Sequence, residues 1–263
     1  MTGIDLDAYL GRIGYAGPRD PGFALLVALQ EAHAGAIPFE NLDILLGRTI
    51  RLDLESLQAK LVTARRGGYC FEQNTLFRAA LEGLGFRATS LAARVRIGAA
   101  VVRPRTHMLL RVDLPEGSFL ADVGFGADGP LHPLPLVAGP ESWTAGSGYR
   151  LRREDDLWVL QGHLDGEWID LYAFTLEPQH PVDFEMANHF TSTFPASPFV
   201  QSLTAQLSWP GRSAVLRNRD LVLRDGRASL RETIHDPEHL VEVLERRFGL
   251  AFPAGTRFAR PVF

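Results

Sequence analysis

The 263-residue sequence predicts an α+β fold, and three observations carry that prediction. Apolar residues recur at helical spacing through the first third, the period changes to two at Arg87, and a mixed segment closes the chain with a last helix. No internal repeat is present. Helices followed by a run of antiparallel strand signals argue against a doubly wound parallel sheet.

Ile4, Leu6, Tyr9, Leu10 and Ile13 mark the first amphipathic helix. Phe23, Leu26 and Val27, continued through 30–34, mark the second, and Leu54, Leu57, Leu61 and Val62 the third. A fourth stripe, Leu76, Phe77, Ala80, Leu81 and Leu84, starts near Cys70 and stops at Gly85, a residue suited to the left-handed position past a helix end. Strands are expected over 88–97, 106–114, 118–125, 149–153, 157–164 and 167–175, with Leu-Pro-Glu-Gly and Leu-Asp-Gly as hairpin turns. Beyond a Pro-rich stretch over 178–198, further strands are expected at 203–209, 213–216, 221–224 and 228–233. A helix then starts at Pro237 and ends at Gly249.

Composition narrows the function. Hydrophobic residues at 46% and charged residues at 22% fit an ordinary globular chain and exclude a disordered or low-complexity one. A net charge of -4 gives no attraction to polyphosphate, so nucleic acid is not an expected partner. Cys70 is the only cysteine, which excludes an internal disulfide and leaves too few sulfur ligands for a structural zinc site. The first residues lack a basic and apolar leader pattern, and no stretch of 18 uninterrupted apolar residues occurs. The expected location is therefore the cytoplasm, with no membrane partner.

Chemistry concentrates in the ten residues from Arg65 to Asn74. Gly67 and Gly68 let the backbone turn tightly into a helix, placing the Cys70 thiol at the positive end of the helix dipole. Arg65 and Arg66 add positive charge nearby in sequence, and such surroundings favour a nucleophilic thiolate. A base is then needed. His107 lies on the face of its strand opposite Thr106, Met108, Leu110 and Val112, and Asp122 lies on the next strand opposite Phe119, Ala121 and Val123. A two-residue turn at Pro115-Glu116 would set His107 opposite Gly124 and diagonal to Asp122, within hydrogen-bond reach. Asp113 is a competing orienter, whereas His132, His163, His180, His189, His235 and His239 lack a comparable context.

Two further segments draw attention. Gly124-Phe125-Gly126-Ala127-Asp128-Gly129 matches the dinucleotide-binding glycine pattern, but Pro130, Pro133 and Pro135 forbid the helix that pattern needs. It reads instead as a glycine-rich loop lining a site, with Phe125 and Gly126 as candidate pocket walls beside Phe39. In Ile37-Pro38-Phe39-Glu40-Asn41-Leu42-Asp43, Glu40 sits among apolar residues and needs a cationic partner. Arg65, Arg66 and Arg12 are the candidates for an ion pair that supports the Cys70 loop.

These motifs, IPFENLD at 37–43, RGGYCFEQN at 66–74, Thr106-His107-Met108 and ADVGFG at 121–126, resemble the bacterial arylamine N-acetyltransferases. The resemblance implies an N-terminal helical bundle (1–86), a central antiparallel β-barrel (87–190) and a C-terminal α/β lid (191–263). It also implies a Cys70-His107-Asp122 triad. The implied activity is ping-pong transfer of acetyl from acetyl-CoA, through an acetyl-cysteine, to the nitrogen of arylamines or arylhydrazines or the oxygen of N-hydroxyarylamines. Acetyl-CoA would be a co-substrate, with no metal and no tightly bound cofactor. A macrolactam-closing amide synthase with the same triad and a papain- or transglutaminase-like cysteine hydrolase are the rival readings. A non-catalytic binding module is the weakest, and oligomeric state is left open.

Overall fold

The computed structural model describes residues 3–164, 166–253 and 255–258. The chain begins with α1 (Leu6–Ile13) and α2 (Phe23–Ala36), then a two-residue strand β1 (Phe39–Glu40) and the single turn α3 (Leu42–Leu45). α4 (Leu54–Leu57) runs on as a π-helical turn over Gln58–Thr63, and α5 (Cys70–Gly83) completes the helical third. Asp5 and Asp53 cap α1 and α4 by accepting from Ala8 N and Ser56 N, which satisfies donors that have no partner inside the helix. α5 lacks such a cap. Glu72, at its third position, instead reaches back to Tyr69 N at 3.1 Å.

Strands β2 (Arg87–Val95), β3 (His107–Leu114), β4 (Gly117–Ala121), β5 (Leu134–Pro135), β6 (Glu141–Thr144), β7 (Ser147–Glu154), β8 (Leu157–Leu164) and β9 (Glu167–Phe174) form one antiparallel sheet. Its order is β5-β4-β3-β2-β9-β8-β7-β6. After β5 the chain crosses to β7, bridging Ala138 to Leu151 with Gly139 N donating to Leu151 O at 2.8 Å, so the sheet curls into a nearly closed barrel. Both faces of β3 and β4 are covered. Met108, Leu110, Val112, Phe119 and Ala121 join the core shared with the helices, while Leu109 and Leu120 join the barrel interior. The turn expected at Leu164-Asp165-Gly166 includes Asp165, which lies outside the described residues.

The remainder comprises α6 (Pro181–Thr193), α7 (Pro198–Gln201), strands β10 (Thr204–Trp209), β11 (Arg212–Arg217), β12 (Asp220–Asp225) and β13 (Ala228–Thr233), and α8 (Pro237–Phe248). The four strands make a meander, and α8 buries Leu240, Val243, Leu244 and Phe248 against its Leu207, Ala214, Leu216 and Leu221. β1 joins this sheet as an edge strand beside β10, so the helical third supplies a strand to the last third. Among the described residues no helix is long and apolar enough to cross a membrane.

The short elements β1, α3, β5, β6 and α7 have no counterpart in the sequence expectation, and two longer elements differ from it. Residues 181–193, read as part of a Pro-rich stretch, are helical: Pro181 occupies the first helical position, where its missing N–H is not needed, and His180 N is taken by the Asp183 carboxylate. Exposed Val182, Met186 and Phe190 on that helix blur the apolar stripe that would have marked it. The strand expected over 118–125 stops at Ala121, because Asp122, Val123 and Gly124 exchange ladder bonds for bonds to one another and to Asn74.

Candidate active site

Cys70 is the first residue of α5 and is 2% exposed. Its sulfur lies 3.6 Å from Thr106 O. The N–H groups of the first turn of α5 have no acceptor within the helix and, with the helix dipole, favour negative charge at this end. The close approach of two glycines fixes the path into the helix. A Cβ on Gly67 would lie 2.1 Å from Pro38 O, and one on Gly68 would lie 2.7 Å from the Glu72 carboxylate. Neither position accommodates a side chain.

The 115–116 turn sets the β3–β4 register, with Leu110 opposite Ala121 and Leu114 opposite Gly117; pairing ends at Ala121, so the expected opposition of His107 and Gly124 is not part of the ladder, and His107 meets Asp122 just beyond it. His107 Nε2 meets Asp122 Oδ2 at 2.7 Å, with both residues buried. Burial alone would lower the His107 pKa. The Asp122 charge and hydrogen bond outweigh it, Cys70 adds to them, and the imidazole is pushed up to about 10. The same contact holds the Asp122 carboxyl below its ordinary range against the opposing effect of burial. The contact therefore favours the protonated ring and sets Nε2–H to donate to Asp122, leaving Nδ1 as the nitrogen that faces the sulfur and can take its proton.

Every lone-pair direction of Asp122 is used. Oδ2 also accepts from Tyr172 OH at 2.9 Å, and Oδ1 accepts from Asn74 Nδ2 at 3.0 Å and Gly124 N at 2.8 Å. Asn74 lies one turn after Cys70 on α5, so one side chain couples the nucleophile's helix to the carboxylate. Asp113, the competing orienter, bonds Ser118 and Arg111 instead. Sequence reasoning assigned no role to Asn74 or Tyr172. Asn74 had a local signal, a polar residue four positions after Cys70, whereas nothing local marks Tyr172, which arrives from β9.

Phe125 is half-buried and sets its ring 5.1 Å from that of His107 and 5.0 Å from that of Tyr172. Phe39 belongs to the same core cluster as Cys70, and Gly126 takes a left-handed φ of 80°. Gly124 lies directly on the nucleophile: a Cβ there would come within 2.7 Å of Cys70 Cα and 2.5 Å of Asn74 Nδ2. Gly124→Ala is therefore expected to displace Cys70 and lower turnover by about tenfold to hundredfold. Turnover within twofold of wild type would mean that the loop, not the nucleophile, gives way.

Of the three candidate partners for Glu40, Arg66 is the one that meets it, at 2.8 Å, and it also meets Asp43 at 3.2 Å. Arg12 donates instead to the carbonyls of Leu61 and Ala36. Arg65 is exposed and offers its carbonyl to Arg12, so the charge of Arg66 is neutralised by carboxylates instead of being free to act on the thiol. Lys60 extends the cluster, reaching Asp43 at 2.8 Å and Glu72 at 2.7 Å, and these acids hold its ammonium pKa above normal against burial. Among the described residues no group of three or more His, Cys, Asp or Glu side chains is arranged to hold a metal ion.

Comparison with known proteins gives a consistent result. The N-acetyltransferase family profile matches residues 23–256. The arylamine N-acetyltransferase of Mycolicibacterium smegmatis is 40% identical over 253 residues, covering 94% of this chain and 92% of that one. A Salmonella typhimurium relative, named arylamine N-acetyltransferase / N-hydroxyarylamine O-acetyltransferase, is 39% identical over 93% of this chain and 88% of its own length. Among solved structures, Mycobacterium marinum arylamine N-acetyltransferase in complex with CoA superposes with a TM-score of 0.88 at 39% identity. That match covers 93% of this chain and 92% of the other.

Proposed function

The chain belongs to the arylamine N-acetyltransferase family and is an acyltransferase, and from that premise we propose that Cys70, His107 and Asp122 carry acetyl from acetyl-CoA to an arylamine by double displacement. The single observation that carries the reading is the buried His107–Asp122 contact beside Cys70 at the head of α5. CoA bound to the M. marinum relative supports acetyl-CoA as co-substrate.

The geometry supports the following steps. His107 accepts the Cys70 proton, and Asp122 stabilises the resulting imidazolium. The thiolate attacks the thioester carbonyl, first-turn N–H groups of α5 receive the developing oxyanion, and the C–S bond to CoA breaks. CoA leaves as a thiol with the proton from His107, and acetyl remains on Cys70. The arylamine nitrogen then attacks this second thioester, His107 takes the amine proton, and the amide departs as the Cys70 thiolate is regenerated. Arylhydrazines attack in the same way, as does the oxygen of N-hydroxyarylamines, an acceptor supported by the name of the Salmonella relative. Phe39, Phe125 and Gly126 wall the acceptor pocket in this reading, and Glu40 with Arg66 holds the loop leading to Cys70. A free reactive thiol suits a reducing compartment, which supports the cytoplasm.

The test is intact-mass analysis after incubation with acetyl-CoA alone, with peptide mapping of the adduct, followed by addition of an aminobenzoate. One acetyl group on the Cys70 peptide, discharged by the amine, is the expected result. An acetyl group elsewhere, or one that the amine leaves in place, would remove double displacement through Cys70.

A further inference from the structure

The thiol that must meet two substrates is almost wholly buried: Cys70 is 2% exposed and His107 3%. The cover on one side is the loop after Asp122. Gly124 presses on Cys70, and Phe125 sets its ring edge against His107. This loop is tied at both ends. Gly124 N bonds Asp122 Oδ1, while the carbonyls of Gly129 and Pro130 accept from Tyr149 OH at 2.9 Å and Gln30 Nε2 at 2.8 Å.

Its middle is tied by a different part of the chain. Ala127 N–H donates to Gln206 Oε1 at 2.8 Å. The Gln206 amide is oriented in turn by donation from Nε2 to Thr204 Oγ1 at 2.8 Å. Gly126 leaves no room between loop and amide, since a Cβ there would lie 2.6 Å from Oε1. Gln206 sits on β10 directly opposite Phe39 of β1, and directly paired residues share a sheet face. β1 in turn holds the other wall: Glu40 N bonds Gly68 O at 3.0 Å, and Gly68 N bonds Pro38 O at 3.2 Å. One side chain of the C-terminal sheet thus closes a ring of hydrogen bonds around Cys70, from the loop before the nucleophile to the loop after the triad carboxylate.

We propose that Gln206 is a positioning residue that latches the Phe125–Asp128 loop over Cys70, and that reagents reach the sulfur by release of the Gln206–Ala127 hydrogen bond. The inference uses the assignment of Cys70 as the reactive thiol but reads access to it, not acyl transfer. Losing one neutral hydrogen bond shifts a closed-to-open balance by about fivefold.

The experiment compares alkylation of Cys70 by small iodoacetamide and by a bulky N-aryl maleimide in wild type, Gln206→Leu and Gln206→Glu, beside their melting temperatures. Gln206→Leu is expected to raise the maleimide rate about fivefold relative to iodoacetamide. Gln206→Glu, which keeps an acceptor for Ala127 N–H while Thr204 donates to it, is expected to restore the wild-type ratio. An unchanged ratio in Gln206→Leu overturns the latch, as does a Gln206→Glu ratio equal to that of Gln206→Leu. If Gln206→Leu does not fold, Thr204→Val, which frees the amide to turn, is read instead: a raised ratio supports the latch and an unchanged one overturns it. A wild-type thiol that alkylates but takes no acetyl from acetyl-CoA would sink the proposed function and leave this comparison intact.

Discussion

Asp122→Asn is expected to lower acetyl transfer by about 10³- to 10⁴-fold, the scale on which triads respond when the orienting carboxylate loses its charge. The reason is specific to the bonds around Asp122. The carboxylate accepts from His107, Tyr172, Asn74 and Gly124 at once, and it is the principal cause holding the His107 pKa near 10 against burial. An asparagine offers a single acceptor oxygen and turns an NH2 group towards two donors, so the imidazole loses both its orientation and its charge stabilisation. The pH dependence of stability should change with it. His107 has a folded pKa raised above the ordinary value of about 6.5, so its stabilisation is complete below that pH and is lost as pH rises towards 10. Melting temperature from pH 6 to 10 should therefore fall more steeply in wild type than in Asp122→Asn. Activity within tenfold of wild type, or parallel melting profiles, would show that the carboxylate charge is not what the site uses.

The parts of this site that were legible in the sequence are those whose geometry is local. Gly67-Gly68 before an apolar stripe is enough to put Cys70 at a helix start, and a two-residue turn at 115–116 is enough to fix which residues of β3 and β4 meet. That register carries His107 and Asp122 close to each other, although the ladder ends at Ala121 and the Asn74 and Gly124 bonds hold Asp122 beyond it. Tyr172 does not follow from that register: it reaches Asp122 only because β9 pairs with β2, a contact between residues nearly eighty positions apart, such as Val95 with Tyr172. Gln206 is further removed, since it depends on β1 crossing to the C-terminal sheet, and two residues at Phe39–Glu40 carry no periodicity from which a strand could be read. The helix at 181–193 was hidden for a different reason, its exposed apolar side chains masking the amphipathic pattern that buried Phe184 and Asn188 would otherwise show. The ion-pair partner of Glu40 was narrowed to three arginines by charge, and only packing could select Arg66.

That selection makes Arg66→Ala the substitution expected to damage the fold most, by about 3–5 kcal/mol, because it strands the buried Glu40 carboxylate, whereas Asp43 keeps Lys60 and Arg48. Glu40 has a fully buried side chain and also accepts Leu42 N, so it can neither turn towards water nor lose its remaining bond cheaply. Lys60 already serves Asp43 and Glu72 and cannot replace the missing charge without releasing one of them. Arg66 additionally stacks on Phe252 at 4.6 Å, so its removal loosens the C-terminal segment as well as the loop leading to Cys70. Glu40→Gln should be milder, about 1–2 kcal/mol, since an amide oxygen still accepts Leu42 N and Arg66 retains Asp43. Denaturant unfolding followed by far-UV circular dichroism measures both. Arg66→Ala and Glu40→Gln of equal effect would argue against a stranded charge as the cause. If Arg66→Ala unfolds at the wild-type midpoint, the cluster does not brace the fold, and the loop before Cys70 is held by Gln73, whose Nε2 donates to the carbonyls of Pro38 and Gly68.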